Sequence, residues 1–275
     1  LNHKLRITNM SLAVLLTSSP YHTIPSTWVR YFAVVFLLTL TTVWCQGQTV
    51  EEIIETTIEK TGGASGWARL QGFKINAKFD QGGVEFPLEI AHLKDGRKYT
   101  RLNFQGTEIM QGVFDGTTLW STDFQTQQPQ KSDAETTANV ALDTNDFPDA
   151  LFNYQQKEYL VQLVEKLHFE GQPAFKIKLT REPITLDGNT IQDVIFYYTQ
   201  QQTFVPIARE FELKQGPIKE STMVIRLDDF REVNGLMFPF SMSQGVKDVP
   251  PQPIKVESIV LNPKIGSDQF RFPGE

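Results

Sequence analysis

The chain of 275 residues is 40% hydrophobic and 21% charged, which allows a sizeable core and matches an ordinary globular protein. Its formal net charge is −6; Lys4, Arg6 and Arg30 are the only charged residues before Gln46, so the remainder holds 23 basic against 32 acidic side chains, a net −9. An anionic body argues against nucleic acid as a partner and against adhesion to anionic lipid headgroups.

Tyr31 to Trp44 (YFAVVFLLTLTTVW) follows Arg30 without a charge. It falls short of the about 20 apolar residues that a membrane span needs, and reads as the core of a signal peptide. Residues 1–48 are therefore expected to be a leader and 49–275 a single exported domain, with no stable membrane span once the leader is removed. Cleavage is expected between Cys45 and Thr49. Cys45 is the sole cysteine, so no intrachain disulfide can form. Trp44 is bulky where the residue before a lipidated cysteine is normally small, so anchoring through Cys45 is not expected.

Thr49-Val50-Glu51-Glu52 has the form of a capping box, and Val50, Ile53, Ile54 and Ile58 share one helical face. Gly62-Gly63 supplies the left-handed stop. From Phe73 the period changes to two, with Phe73, Ile75, Ala77 and Phe79 alternating with polar residues. Similar runs occupy 84–93, 98–104, 108–114, 117–122, 160–169, 174–180, 191–198, 207–213, 221–228, 237–243 and 254–261, which predicts ten to twelve strands. Asp95-Gly96, Asp115-Gly116, Asp187-Gly188 and Asn234-Gly235 between such runs predict type I′ hairpin turns. The polar stretch 123–145 has no period and is expected to be a mobile flap. Asp146-Phe147-Pro148-Asp149 is expected to open a second helix through Gln156, capped by Asp146. No tandem repeat is visible.

The reagents of catalysis are scarce. His92 and His168 lie in strand-like runs without His or Cys at metal-ligand spacing, so each reads as a satisfied strand histidine. Asp143, Asn145, Asp146 and Asp149 miss the calcium-loop pattern, because Phe147 stands at its fifth position, and read as solvation and capping. Asp228 and Asp229 are adjacent on a strand and point to opposite faces, which is poor geometry for an acid/base pair. Gly62-Gly63-Ala64-Ser65-Gly66 lacks the strand and Lys of a phosphate loop, and no G-x-S-x-G elbow occurs. The expectation is a non-enzyme with no catalytic residue, metal or cofactor.

What remains is aromatic abundance on successive strands. A sheet of this size curls, and a curled sheet capped by two helices leaves a concave apolar volume. The candidate lipid contacts are Phe73, Phe79, Phe104, Phe114, Trp120, Phe152, Phe175, Phe196, Tyr198 and Phe211; each taken alone is more often core than contact.

Several motifs, in order, resemble the LolA/LolB lipoprotein-carrier superfamily, in particular its LolA-like outer membrane lipoprotein-sorting group. They are Thr61-Gly62-Gly63 with Trp67 and Leu70, Phe114-Asp115-Gly116 with Trp120, and Gly171-Gln172-Pro173-Ala174-Phe175-Lys176-Ile177-Lys178-Leu179. Tyr197-Tyr198 with Phe204-Val205-Pro206-Ile207, and Asp229-Phe230-Arg231-Glu232-Val233-Asn234-Gly235 with Phe238-Pro239, complete the set. The resemblance covers residues 50–240. It implies a mainly β (α+β) fold, a half-open curved antiparallel sheet or barrel closed by helices. It also implies a periplasmic carrier of lipid or lipoprotein acyl chains, with envelope donor and acceptor proteins as partners. For the family's gating basic residue, Arg69, Arg97 and Arg101 stand open. The rival reading is a non-catalytic envelope module whose barrel is filled by its own side chains, and cavity volume separates the two.

Overall fold

The computed structural model describes residues 47–216 and 218–274. The apolar leader run and Cys45 lie outside the described residues. Helix α1 (Val50–Lys60) starts as its sequence dictates. Thr49 Oγ1 accepts from the Glu52 amide at 3.2 Å, and Glu52 Oε2 accepts from the Thr49 amide at 3.0 Å, completing the capping box. Its buried face is Val50, Ile53, Ile54 and Thr57. At Gly62, φ is 136° and an added Cβ would lie 2.6 Å from a Leu236 methyl and 2.8 Å from the Gly235 carbonyl, so the helix end sits flush on the Asn234-Gly235 turn. A short helix that periodicity did not foresee, α2 (Ala64–Arg69), follows and buries Trp67.

The strands are β1 (Gly72–Gln81), β2 (Val84–Leu93), β3 (Lys98–Phe104), β4 (Thr107–Phe114), β5 (Leu119–Thr122) and β6 (Pro129–Lys131). After α3 (Ala134–Leu142), a 3-10 turn (Asp143–Asp146) and α4 (Ala150–Asn153) come β7 (Leu160–Phe169), β8 (Gln172–Thr180), β9 (Ile184–Leu186), β10 (Asn189–Ile191) and β11 (Val194–Gln200). The last are β12 (Pro206–Glu212), β13 (Thr222–Val233), β14 (Leu236–Val246) and β15 (Gln252–Leu261). Thirteen of them form one antiparallel sheet in the order β6-β5-β4-β3-β2-β1-β15-β14-β13-β12-β11-β8-β7, and β9 and β10 pair separately. The fold is mainly β, as expected. The strands beyond those read from periodicity are β6, β9 and β10, each three residues long and too short to display alternation.

The first and last long strands form a seam in the middle of the sheet, with Phe73 opposite Leu261 and Phe79 opposite Ile254. The sheet curls about this seam without closing, since β6 and β7 do not pair. One carboxylate shows the curl: Asp143 accepts from Lys98 Nζ on β3 at 3.0 Å and from Arg181 Nη1, just past β8, at 2.9 Å. These strands stand eight places apart in the sheet order. In a flat sheet they would be roughly 38 Å apart.

Two sequence expectations change. The stretch 123–145 is not a structureless flap: Asp133 caps α3 through the Thr136 amide at 2.7 Å, and β6 joins the sheet edge. The second helix does not run from Asp146 to Gln156. Phe147 precedes Pro148 and is held extended (φ −73°, ψ 133°), so the helix starts later, capped by Asp149, and continues only to Asn153. The hairpin turns also divide. Asp187-Gly188 and Asn234-Gly235 have positive φ at both positions, as type I′ requires. Asp95 and Asp115 do not; their carboxylates instead accept from the backbone amides of Arg97 and of Thr117 and Thr118.

Packing falls on both faces. On the inner face, α1 and α4 cover Phe175, Ile177, Leu179 and Tyr197, and Trp67 with Phe147 covers Leu236 and Phe238. A third inner cluster, Ile75, Ala77, Leu88, Ile254 and Val256 with Phe79, Leu102 and Met242 at its margin, contains strand residues only. On the outer face of β2–β5, the tail after β15 lies over Ala91, Tyr99, Met110, Val113 and Trp120. There Phe270 is fully buried and its carbonyl accepts from Trp120 Nε1 at 3.0 Å.

Candidate ligand cavity

The interior is not filled by its own side chains. A cavity of about 510 Å³ is lined from one wing by β1–β4, from the other by β11–β14, and from the helical side by Trp67, Pro148, Leu151 and Phe152. That is within the range of small-molecule sites, about 300–1,000 Å³. Contact with both wings makes the sheet face concave at this point.

The lining has two regions. Phe73, Ile75, Ile90, Leu227, Phe230, Met237, Pro239 and Met242 form its apolar part. Beyond Ile75 and Ile90 the same strand faces continue through Ala77 and Leu88 to Phe79, Phe86 and Phe104 at the far ends of β1, β2 and β3. There the Phe86 and Phe104 rings lie 4.7 Å apart and Phe104 is 40% exposed.

The polar part gathers His92, Lys98, Asp149, Tyr197 and Arg209. Asp149 Oδ1 accepts from the Leu151 amide at 2.9 Å and from Tyr197 Oη at 2.7 Å, while Oδ2 accepts from Arg209 Nη1 at 3.1 Å. Burial and the neighbouring Asp149 carboxylate push the Tyr197 phenol well above its ordinary range. Arg209 gives only Nη1 to Asp149, and its buried Nε has no acceptor among the described residues. His92 stands edge-on to Phe147 and Phe73, at 5.1 and 5.7 Å between ring centroids, and its buried Nε2 has no hydrogen-bond partner among the described residues. Burial lowers its pKa to about 4, and the Lys98 and Arg209 charges act in the same direction, so it is neutral at pH 7.

Of the ten candidate contacts, Phe73 and Phe152 line the cavity. Phe79 and Phe104 lie farther along the same inner face. Phe114 is fully buried opposite Lys98. Phe175 is buried beneath α1, and Phe211 lies two residues beyond Arg209 on its face of β12. Trp120 is on the outer face under Phe270. Phe196 and Tyr198 are also outside, beneath Lys176 Nζ at 4.7 and 5.6 Å from their centroids. None of the three arginines left open for gating lines the cavity. Arg97 pairs with Asp95 and covers Phe270, Arg101 pairs with Glu89 and Glu108, and Arg69 ends α2.

Sequence reading missed Arg209, Asp149 and Tyr197. One signal was present: Arg209 and Phe211 are two apart on β12 and share a face, so a charge stands beside an apolar side chain there. Of the acidic residues read as solvation and capping, Asp149 does cap α4, and Asp143, Asp146 and Asp149 are also ion-paired. Asp143, Asp146 and Asp193 all meet Arg181, and Asp149 meets Arg209. Among the described residues no group of three or more His, Cys, Asp or Glu could hold a metal ion, and no helix is long and apolar enough to cross a membrane.

An open antiparallel sheet curled over helices and an apolar cavity is the architecture these elements define. Solved structures similar to this chain include a LolA superfamily protein from Nitrosomonas europaea, 15% identical, covering 82% of this chain and 99% of that one with a TM-score of 0.48. A DUF1329 family protein from Desulfovibrio piger is 12% identical, covering 82% and 98%, also at 0.48. A putative outer membrane lipoprotein-sorting protein domain from Vibrio parahaemolyticus is 10% identical, covering 80% and 94%, at 0.46. No family model matches the chain, and no curated protein matches it.

Proposed function

We propose that the protein is a non-catalytic carrier that binds lipid or lipoprotein acyl chains in its concave apolar cavity and conveys them through the periplasm toward the outer membrane. The observation that carries this reading is the 510 Å³ cavity between the sheet and α4, continuous with an inner face made of strand residues alone. Burying one CH₂ contributes about 0.8 kcal/mol, so a chain of a dozen carbons gives on the order of 10 kcal/mol of gross attraction before ordering costs. Phe73 and Phe152 are the proposed contacts beside the cavity, and Phe79 and Phe104 the proposed contacts along the strands leading from it. Export by residues 1–48, and envelope proteins that deliver and receive the lipid, belong to the same proposal. The rival, a module with a self-filled barrel, requires an interior that the cavity volume weighs against.

The test is titration of the purified protein with an environment-sensitive hydrophobic probe and competition by lipid, alongside native mass spectrometry of what copurifies. Saturable, lipid-competed uptake is expected, and Ile90→Trp, which fills the cavity, should weaken it at least tenfold. Absence of both copurifying lipid and probe uptake would leave the carrier reading without support.

A further inference from the structure

The cavity is not uniformly apolar, and its polar region is unbalanced. Lys98 and Arg209 bring two positive charges to the lining, while Asp149 brings one negative charge. That carboxylate is already held by the Leu151 amide, Tyr197 Oη and Arg209 Nη1. Lys98 is held by Asp143, just outside the lining, and Arg181, which shares Asp143, is held by Asp146 and Asp193 as well, so what stays open at the lining is donor capacity on Arg209. Arg209 carries five N–H donors in a planar fork, of which the protein engages one. Its side chain is 39% exposed while its Nε is buried without an acceptor. Neutral His92 supplies a further unpartnered nitrogen on the opposite wing. Arg209 and Lys98 both act on His92 electrostatically, which places the three groups in one neighbourhood. On the other side, the strand-only inner cluster runs from Ile75 and Ile90 to Phe79 and Leu102, and the exposed Phe104 lies two residues farther along β3.

Resting on the carrier reading, we infer that the ligand is a single-chain amphiphile with an oxyanion head, its head received by Arg209 with Lys98 nearby and its tail laid along β1–β3 toward Phe104. A carboxylate or phosphate offers paired oxygens to which an arginine fork donates side by side. A protein-linked acyl chain has only single ester and amide oxygens to offer and leaves most of the Arg209 fork unused. The inference therefore selects free fatty-acid-like or alkyl-phosphate ligands over neutral ones.

The experiment compares dodecanoate, dodecyl phosphate and 1-dodecanol, which share a tail, as competitors of a fluorescent probe at pH 7.5. Charge-assisted hydrogen bonds correspond to about tenfold or more in affinity, so at least one anion should bind at least tenfold tighter than the alcohol. The stronger of the two anions identifies the head. In Arg209→Gln that advantage should fall below threefold, and a circular dichroism spectrum matching that of the unaltered protein shows that the variant is folded. Arg209→Lys should restore part of it. Equal binding of the anions and the alcohol by the unaltered protein, or an advantage that survives Arg209→Gln, overturns the oxyanion site and leaves the carrier reading intact. Binding of none of the three overturns both.

Discussion

His92 is the residue whose chemistry is most altered by its position. The unfolded chain takes up its proton near pH 6.5 and the folded chain only near pH 4. Between these values the unfolded state binds more protons, so the stability contributed by a neutral His92 is intact above pH 6.5 and is lost as pH falls toward 4. The whole effect is at most roughly 3 kcal/mol. His92→Phe keeps a ring against Phe147 and Phe73 and removes the proton site. Urea denaturation at pH 7 and pH 4.5 should therefore show a smaller acid loss in the variant than in the unaltered protein. A difference between the two proteins that is the same at both pH values would contradict this account. At pH 7 itself the variant should lie within about 1 kcal/mol of the unaltered protein, because an unpartnered ring nitrogen is removed along with the ring's polarity.

At the scale of elements, two pieces hold the curl from opposite faces. Inside, Arg181 gathers Asp143, Asp146 and Asp193, which ties the 3-10 turn to the end of β8 and the start of β11. Burial raises the Asp146 pKa against the pull of Arg181, whereas for Asp143 the Lys98 and Arg181 charges outweigh burial and lower it. Arg181→Leu strands these carboxylates, and a loss of about 3–5 kcal/mol is expected from denaturant titration, with faster proteolysis between α3 and α4. Outside, the tail after β15 buries Phe270 and sets Phe272 edge-on to Trp120 at 5.9 Å between ring centroids. Phe270→Ala should lose about 3–5 kcal/mol and shift Trp120 fluorescence to the red as its indole becomes wetted; an unshifted spectrum would count against the strap.

Neither tie was legible beforehand. The capping box at Thr49, the period-two runs and the Asn234-Gly235 turn are local signals that depend on a few adjacent residues, and each appears where its chemistry puts it. The ion pairs around Arg181 and the burial of Phe270 join segments far apart in the chain, and no spacing rule encodes them. The aromatic list shows the same limit. Alternation says that Phe73 and Phe79 share a face, but not that Trp120 and Tyr198 look outward, because the sign of each face is set only when the strands assemble. Arg209 was readable as a charge beside Phe211 on one face of β12, although its place in one cavity with His92 required the curl.

For the whole molecule, the cavity sets an expectation about heat. A ligand that binds only the folded state stabilises it by about 2.7 kcal/mol at 100 times its Kd, so the melting temperature should climb steadily with added amphiphile. Ile90→Trp should abolish that dependence while leaving the unliganded melting temperature similar or higher. A melting temperature indifferent to ligand in the unaltered protein would mean that the cavity stays empty.

The central seam has a consequence for how the chain comes to be folded at all. Asn76 donates to Ser258 at 3.0 Å across a separation of 182 positions, and the strands bearing them stand in the middle of the sheet. A ribosome or a translocation pore delivers β1 long before β15. Until then β1 has one open flank and the concavity has no floor. Such distant pairing makes assembly slow, and the emerging N-terminal half must be kept from pairing with strangers until the last long strand arrives to join the wings.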